Sequence, residues 1–286
     1  MKLNFIQDIA SPHNNVFAQA VNQTPDIDLV LWYCQEKPTM YDWKEDLNNA
    51  IKPAKMYKPT SVDLQFLKHC LSRKDEQFLI VGWQNINTKL LMILFFLWRR
   101  SYAVWFDLPN DERQRGFLKK AFRNFFYFIL KHSNAHIFGV GQMTLDYFKG
   151  RGFNKNRLTN LPIFVDVSKE PAEYTKNKAE IYQKYNVGEN DFFISAGSRL
   201  VYEKGFDILI GAIASLPEEV KSHIRCVIVG KGEEEQNLKQ QIQQNNLTEN
   251  IFLEGWMEFD DFSAVIANSH VFVHPCRFDA FGATIF

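Results

Sequence analysis

The chain has 286 residues, 46% of them hydrophobic and 15% aromatic, and carries 33 Lys/Arg against 33 Asp/Glu. That length predicts about two domains, and that apolar content excludes global disorder. The four cysteines, Cys34, Cys70, Cys226 and Cys276, are scattered and form no C-x-x-C pair, so neither a zinc ribbon nor a dithiol redox motif is expected, and they read as reduced, buried thiols of a cytosolic protein.

In chain order, "MKLNFIQDIA" has one Lys and no apolar stretch before a small-residue cleavage site, so it reads as a first strand and not as a signal peptide. Strands are predicted at 2–6, 28–33, 78–81, 102–106, 136–140 and 158–164, with helices over 13–23, 61–72, 87–99, 113–132 and 142–149. The longest unbroken apolar run, Leu90 to Trp98, is nine residues. A bilayer-spanning helix needs about twenty, so none is expected. After a polar stretch at 168–190 the alternation resumes. "FFISAGS" predicts a strand, "GFDILIGAIASLP" a helix stopped by Pro217, "IRCVIVG" a strand and "EEEQNLKQQIQQNN" a helix with acids at its N-terminus. "NIFLEGW", "FDDFSAVIANS" and "VFVHP" follow as strand, helix and strand.

Alternating strands and helices imply parallel sheets with helices on both faces. The expected class is α/β, with two Rossmann-like parallel-sheet domains. The first covers 1–170, a linker 171–190 and the second 191–286. The last strand, "VFVHP", is apolar on both faces, as an interior parallel strand would be. The second domain therefore reads as incomplete.

The zero net charge hides an asymmetry. Residues 1–185 hold 26 Lys/Arg against 18 Asp/Glu, and residues 186–286 hold 7 against 15. Residues 51–157 alone carry 19 against 7. A basic half suits an anionic membrane surface, a nucleic acid or an acidic glycan. No helix-turn-helix, ribonucleoprotein or zinc-finger pattern supports nucleic acid. In "GFLKKAFRNFFYFILKH", Leu118, Ala121, Phe122, Phe125 and Ile129 form one helical face, with Lys119, Lys120, Arg123, Tyr127 and Lys131 on another, beside Phe126 and Phe128, which are expected to be exposed. That pattern fits a peripheral membrane contact as well as a core helix with a solvated basic side.

The chemistry is expected at strand ends, where open parallel sheets bind ligands. In "AGSRLVYEKGFDIL" a strand ends at Gly197, a loop carries Arg199 and Lys204, and Gly205 opens a helix. Two cations beside unpaired helix N–H groups make an anion site that suits a diphosphate; the competing assignment pairs Lys204 with Glu203 or Asp207. "VGKGEEE" and "GVGQMT" lack the third glycine of a dinucleotide fingerprint, and no P-loop is present. "RFDAFG" places Arg277 and Asp279 after the last strand, where the two could instead pair with each other.

From Ile194 onward the chain resembles the donor-binding half of family 4 retaining glycosyltransferases, which have the GT-B architecture. The family's "G-R-L…K-G", "V-G-x-G", "F-x-G" and "H-P-S-x-x-E-x-F-G" motifs correspond here to "GSRLVYEKG", "IVGKGEEE", "IFLEGW" and "HPCRFDAFG". "NLPIFVDV" is similar to the family's "I-P-N-G-V-D". The first half fits by strand order alone. The resemblance implies a retaining glycosyltransferase that moves a sugar from a nucleotide-sugar donor to a glycan or lipid-linked acceptor in surface polysaccharide or glycoconjugate synthesis.

By the same resemblance Arg199, Lys204 and Gly205 would bind the donor diphosphate, joined by the amides of Gly282, Ala283 and Thr284. Backbone near Lys231 and Trp256 would hold the base. Asp279 stands in the place of the first Glu of the family's E-x7-E pair, with about 1.5 Å less reach than Glu. Counting eight residues on gives 287, one past the last residue of the sequence. The expectation is thus a C-terminally truncated piece of a longer enzyme; the alternative is an inactive truncated or pseudo-enzyme module that binds a nucleotide sugar or a partner. In the first half, His13 lies beside a cap at Ser11 or Asn14 in "DIASPHNN", and Asp107 ends a strand in "YAVWFDLPND". Both are expected as acceptor-side groups of the catalytic set, against the competing assignments of a surface histidine and a turn acid. No cofactor and no metal site is expected. The expected location is cytoplasmic, peripheral at the inner face of the membrane.

Overall fold

A computed structural model describes residues 1–9, 11–34, 54–58, 60–83, 85–111, 116–164, 177–280 and 282. The chain divides into two compact units, Met1–Asp166 and Val167–Phe286.

The first unit holds a seven-stranded parallel sheet. Its strands are β1 (Lys2–Ile6), β2 (Asp28–Tyr33), β3 (Ala54–Met56), β4 (Gln77–Val81), β5 (Ser101–Phe106), β6 (Asn134–Gly139) and β7 (Leu158–Asn160), in the order β3-β2-β1-β4-β5-β6-β7. The helices are α1 (Pro12–Asn22), α2 (Leu64–Ser72), α3 (Ile86–Leu97), α4 (Phe117–His132) and α5 (Gly141–Gly150). Strand runs such as DLVLWY are buried along almost their whole length, as a sheet covered on both faces requires. The helix starts are set by short polar caps. Ser11 Oγ accepts from Asn14 N at 3.3 Å, Asp63 Oδ1 from Gln65 N and Phe66 N at 3.0 Å each, and Asn85 Oδ1 from Thr88 N at 2.9 Å. Each satisfies N–H groups that have no partner inside the helix.

Three expectations change here. The strand predicted over 158–164 is only Leu158–Asn160, because Pro162 withholds a donor from the ladder. A short strand, β3, was not predicted; it pairs with β2 through Leu31, Trp32 and Tyr33. On α4, Phe126 is 2% exposed, not on the surface. It lies against Trp83, with ring centroids 5.8 Å apart. Phe128 is exposed as expected, and Phe122 and Phe125 are exposed with it. Burying a Phe contributes roughly 1.5–3 kcal/mol, so Phe126, Ile129 and Leu130 set the rotation of α4.

The second unit begins earlier than the expected linker allows. Helix α6 (Lys178–Lys184) falls inside 171–190, yet Ile181 and the adjoining Tyr185 are buried with Phe193, Val227 and Val229. The sheet is four-stranded and parallel, in the order β10-β9-β8-β11. It is formed by β8 (Phe192–Gly197), β9 (Ile224–Val229), β10 (Ile251–Glu254) and β11 (Val271–Phe272). Helices α7 (Phe206–Ala214), α8 (Glu235–Gln244) and α9 (Phe259–Asn268) complete it. One face carries Leu209, Ile210, Ile213, Leu238 and Ile242 packed on Ile194, Cys226 and Ile228. Among the described residues no helix is long and apolar enough to cross a membrane.

Candidate active site

In the second unit the chain runs outward from β8 to β9 to β10, then returns with β11 to the other side of β8. The strand order therefore reverses between β8 and β11. Open parallel sheets bind ligands outside the carboxyl ends of the strands at such a reversal, because the two flanking loops diverge and leave a crevice. The loops that follow β8 and β11 carry Arg199, Lys204, Arg277 and Asp279.

Backbone hydrogen bonds tie these loops together. Leu200, fully buried, donates its N–H to Lys231 O at 2.9 Å and accepts from Glu234 N at 2.9 Å. Arg277 N and Phe278 N donate to Glu203 O at 2.9 and 3.1 Å. Gly205 sits in the left-handed region at φ +68°, where a Cβ would stand 2.3 Å from the carbonyl oxygen of Pro275. Only glycine allows the loop after β11 to approach the start of α7 this closely.

Lys204 and Asp279 meet at this crossing. Lys204 Nζ donates to Asp279 Oδ2 at 2.5 Å, with the two side chains 12% and 22% exposed. His274 Nε2 lies 2.8 Å from the same oxygen, and Gly282 N donates to Asp279 Oδ1 at 3.0 Å. Cys276 Sγ stands 3.0 Å from His274 Nε2 and 3.8 Å from Asp279 Oδ2. Burial pushes the Cys276 thiol up, and the Asp279 carboxylate beside it acts in the same direction. Asp279 thus has three different polar groups converging on one oxygen.

Neither competing pairing forms. Lys204 bonds Asp279, not Glu203 or Asp207. Arg277 turns away from Asp279 and forks onto Asp207 at 2.7 and 2.6 Å, with its guanidinium 4.2 Å from the Tyr202 ring centroid. The fork is the stronger option because two parallel charge-assisted bonds match guanidinium to carboxylate. It holds the Asp207 carboxyl below the usual range, and the backbone N–H groups of Asp207 and Ile208 add to that. An acid therefore occupies the start of α7, where the sequence predicts an open anion-binding end. Gly205 itself permits the close approach described above.

Arg199 is different. Its side chain is exposed and forms no hydrogen bond or ion pair with any described residue. Lys231 is exposed and Trp256 half-buried at the ends of β9 and β10, and Gly230 N ties these ends together through Glu254 O at 3.2 Å. Gly282 is buried; Ala283 and Thr284 lie outside the described residues. His274 and Cys276 were missed by sequence reasoning. The available signal was their spacing, His-x-Cys-x-x-Asp, with Cys where the resembling motif has Ser.

The first unit has its own reversal, between β1 and β4. There side chains from the flanking loops bond one another. Asp8 Oδ1 accepts from Asn85 Nδ2 and, at 3.4 Å, from Tyr57 OH. Asn85 Nδ2 also donates to Tyr57 OH at 2.9 Å. Burial foremost, with the Asp8 carboxylate next, pushes the Cys34 thiol there up to about 12. His13 occupies the second position of α1, and Asp107 is exposed just beyond β5.

Comparison with known proteins agrees with this geometry. Residues 177–286 match the family model "Glycosyl transferases group 1". Over 90 residues the chain is 32% identical to the phosphatidylinositol N-acetylglucosaminyltransferase gpi3 subunit of Schizosaccharomyces pombe, a match covering 31% of this chain and 19% of that protein. Over 142 residues it is 28% identical to a GDP-mannose-dependent monoacylated alpha-(1-6)-phosphatidylinositol monomannoside mannosyltransferase of Corynebacterium glutamicum, covering 48% and 35%. The matches thus span about a fifth and about a third of these relatives. Among solved structures, Anabaena Alr3699/HepE in complex with UDP and glucose superposes with a TM-score of 0.74 at 16% identity, covering 100% of this chain and 77% of that one. WaaG, a glycosyltransferase involved in lipopolysaccharide biosynthesis, gives 0.69 at 14%, covering 99% and 77%. The chain has the α/β fold of GT-B glycosyltransferases, and its residues 177–286 match glycosyl transferases group 1.

Proposed function

We propose that this chain moves a sugar from a nucleotide-sugar donor to a glycan or lipid-linked acceptor, with retention at the anomeric carbon, in the synthesis of a surface polysaccharide or glycoconjugate. The observation that carries the proposal is the pair of loops at the β8/β11 reversal, which hold an exposed Arg199 with no ion-pair or hydrogen-bond partner among the described residues and a Lys204 paired with Asp279, inside the segment that matches glycosyl transferases group 1.

Arg199 meets the donor diphosphate first. Lys204 then shares its ammonium between Asp279 and a phosphate oxygen. As the glycosidic bond breaks, charge grows on the leaving diphosphate, and fixed cations stabilise that charge more than they stabilise the ground state. Ala283 and Thr284 contribute backbone amides, joined by Gly282 where its N–H is released from Asp279. Backbone near Lys231 and Trp256 holds the base. Asp279, kept in place by Lys204, His274 and the Gly282 N–H, lies on the sugar side. On the acceptor side we assign polar roles to Asp107 and His13. None of these steps calls for a metal. The relatives name different nucleotides, UDP for the Anabaena protein and GDP-mannose for the Corynebacterium enzyme, so the base is left open.

The acceptor reading is supported by α4. Phe117 and Leu118 are 83% and 81% exposed. Phe122, Phe125 and Phe128 continue the exposed set, with Leu97 and Trp98 at the end of neighbouring α3. Lys89 sits 5.9 Å over the Phe122 ring. Aromatics flanked by cations suit the interface of an anionic bilayer, where the rings enter the headgroup boundary and the lysines meet lipid charge. On that support we infer a peripheral location at the inner face of the membrane. Flotation with phosphatidylglycerol vesicles is expected to recover the protein, and Phe122→Ser with Phe125→Ser to release it; equal recovery on neutral vesicles removes the charge argument.

The transfer itself is tested by incubating the protein with labelled UDP- and GDP-sugars and a lipid extract. A labelled lipid or glycan with the donor's anomeric configuration supports the proposal. Nucleotide binding without any product supports the inactive-module alternative, and absence of both contradicts the site.

A further inference from the structure

The cluster around Asp279 contains more chemistry than diphosphate binding uses. His274 Nε2, Cys276 Sγ and Asp279 Oδ2 lie within 4.8 Å of one another, and all three side chains are half-buried. They are an imidazole nitrogen, a thiol sulfur and a carboxylate oxygen, three different metal-ligand types aimed at one point. Their separations are 3.0, 2.8 and 3.8 Å. A tetrahedral zinc site, with Zn–S about 2.3 Å and Zn–N or Zn–O about 2.0–2.2 Å, puts its ligand atoms roughly 3.3–3.8 Å apart. The side chains would need to open by roughly half an ångström on two edges.

The geometry points to a binding site for a thiophilic divalent cation of the Zn2+ class, formed by His274, Cys276 and Asp279. Sulfur and imidazole select such an ion over Mg2+ or Ca2+, which take oxygen ligands. Three protein ligands leave a fourth position for water or an incoming anionic oxygen. Binding takes one proton from the Cys276 thiol, which becomes the thiolate ligand, while the imidazole binds neutral through Nε2 and the carboxylate through Oδ2. That oxygen is the one Lys204 now holds, so the ion competes with the Lys204 ammonium. Metal occupancy would therefore bear on the site proposed above for the diphosphate, but the binding itself does not depend on that reading.

The test uses Co2+ as a spectroscopic stand-in, added to the full chain after chelator treatment and without nucleotide. A thiolate-to-cobalt charge-transfer band in the near ultraviolet, with visible d–d bands of tetrahedral strength at one equivalent, is expected. Zn2+ should displace both. Cys276→Ser should abolish the charge-transfer band, and His274→Gln should weaken Co2+ binding by about tenfold or more. Because the resembling motif carries Ser at this position, Cys276→Ser is expected to fold, which far-ultraviolet circular dichroism checks. Lys204→Met, which removes the competing ammonium, should tighten Co2+ binding. Absence of a charge-transfer band in the wild-type chain, or its persistence in folded Cys276→Ser, overturns the site. Neither result touches nucleotide binding, so failure here is distinct from failure of the transferase reading.

Discussion

The two sheets of this protein reverse their strand order once each, and the two reversals are filled differently. Between β1 and β4, Asp8, Asn85 and Tyr57 hydrogen-bond one another. Between β8 and β11, Lys204 and Asp279 are paired, but Arg199 is left exposed and without a partner among the described residues. One reversal carries a set of mutually bonded side chains; the other presents a cation to solvent. We propose that the same topology serves structure in one unit and ligand recognition in the other, according to how far local side chains pair with one another.

Several substitutions break or sharpen that contrast. The largest effect is expected from Gly205→Ala, which places a Cβ against the Pro275 carbonyl in a left-handed backbone position. A loss of about 2–4 kcal/mol is expected in chemical denaturation of the second unit. Asn85→Ala in the first unit removes both the bond to Asp8 and the cap on α3. It should cost about 1–3 kcal/mol of stability and leave nucleotide affinity unchanged. Lys204→Ala should do the reverse in the second unit, lowering nucleotide affinity about tenfold to a hundredfold with a smaller stability loss, read by calorimetric titration beside thermal denaturation. A stability loss in Lys204→Ala without an affinity loss would make the two reversals alike.

The smallest effect concerns Asp207. Its carboxyl is held below the ordinary range by Arg277 in the folded chain. A depressed folded value means the pair contributes above the ordinary carboxylate range and the contribution is lost as pH falls through the lowered value. Because Asp207 is 42% exposed, the contribution is under about 0.5 kcal/mol. Asp207→Asn should flatten the acid limb of a stability–pH curve by that amount.

Much of the architecture is legible from the sequence because parallel strands buried on both faces give continuous apolar runs. "DLVLWY" and "FFISAG" are unambiguous, and the predicted 28–33 coincides with β2. β3 was not legible, since three residues between prolines carry no periodic signal and form a strand only by pairing with β2. The rotation of α4 was misread because apolar residues surround that helix on nearly every side. Trp83, a residue far away in sequence, decides that Phe126 is the buried one. At the site, residue types placed Arg199, Lys204 and Asp279 at strand ends, but side-chain pairing depends on reach. Arg277 is adjacent to Asp279 in sequence, yet the loop geometry offers it Asp207. His274 and Cys276 went unnoticed because their shared focus on Asp279 exists only once the loop after β11 has folded.

The central claim is that the open reversal of the second unit binds the diphosphate of a nucleotide through Arg199. Calorimetric titration of the wild-type chain and of Arg199→Ala with UDP and GDP tests it most directly. One nucleotide should bind the wild-type chain, and Arg199→Ala should bind it about tenfold to a hundredfold more weakly at an unchanged melting temperature, because Arg199 supports no contact within the described fold. Equal affinity in the two proteins, or no binding of either nucleotide to the wild-type chain, would contradict the account.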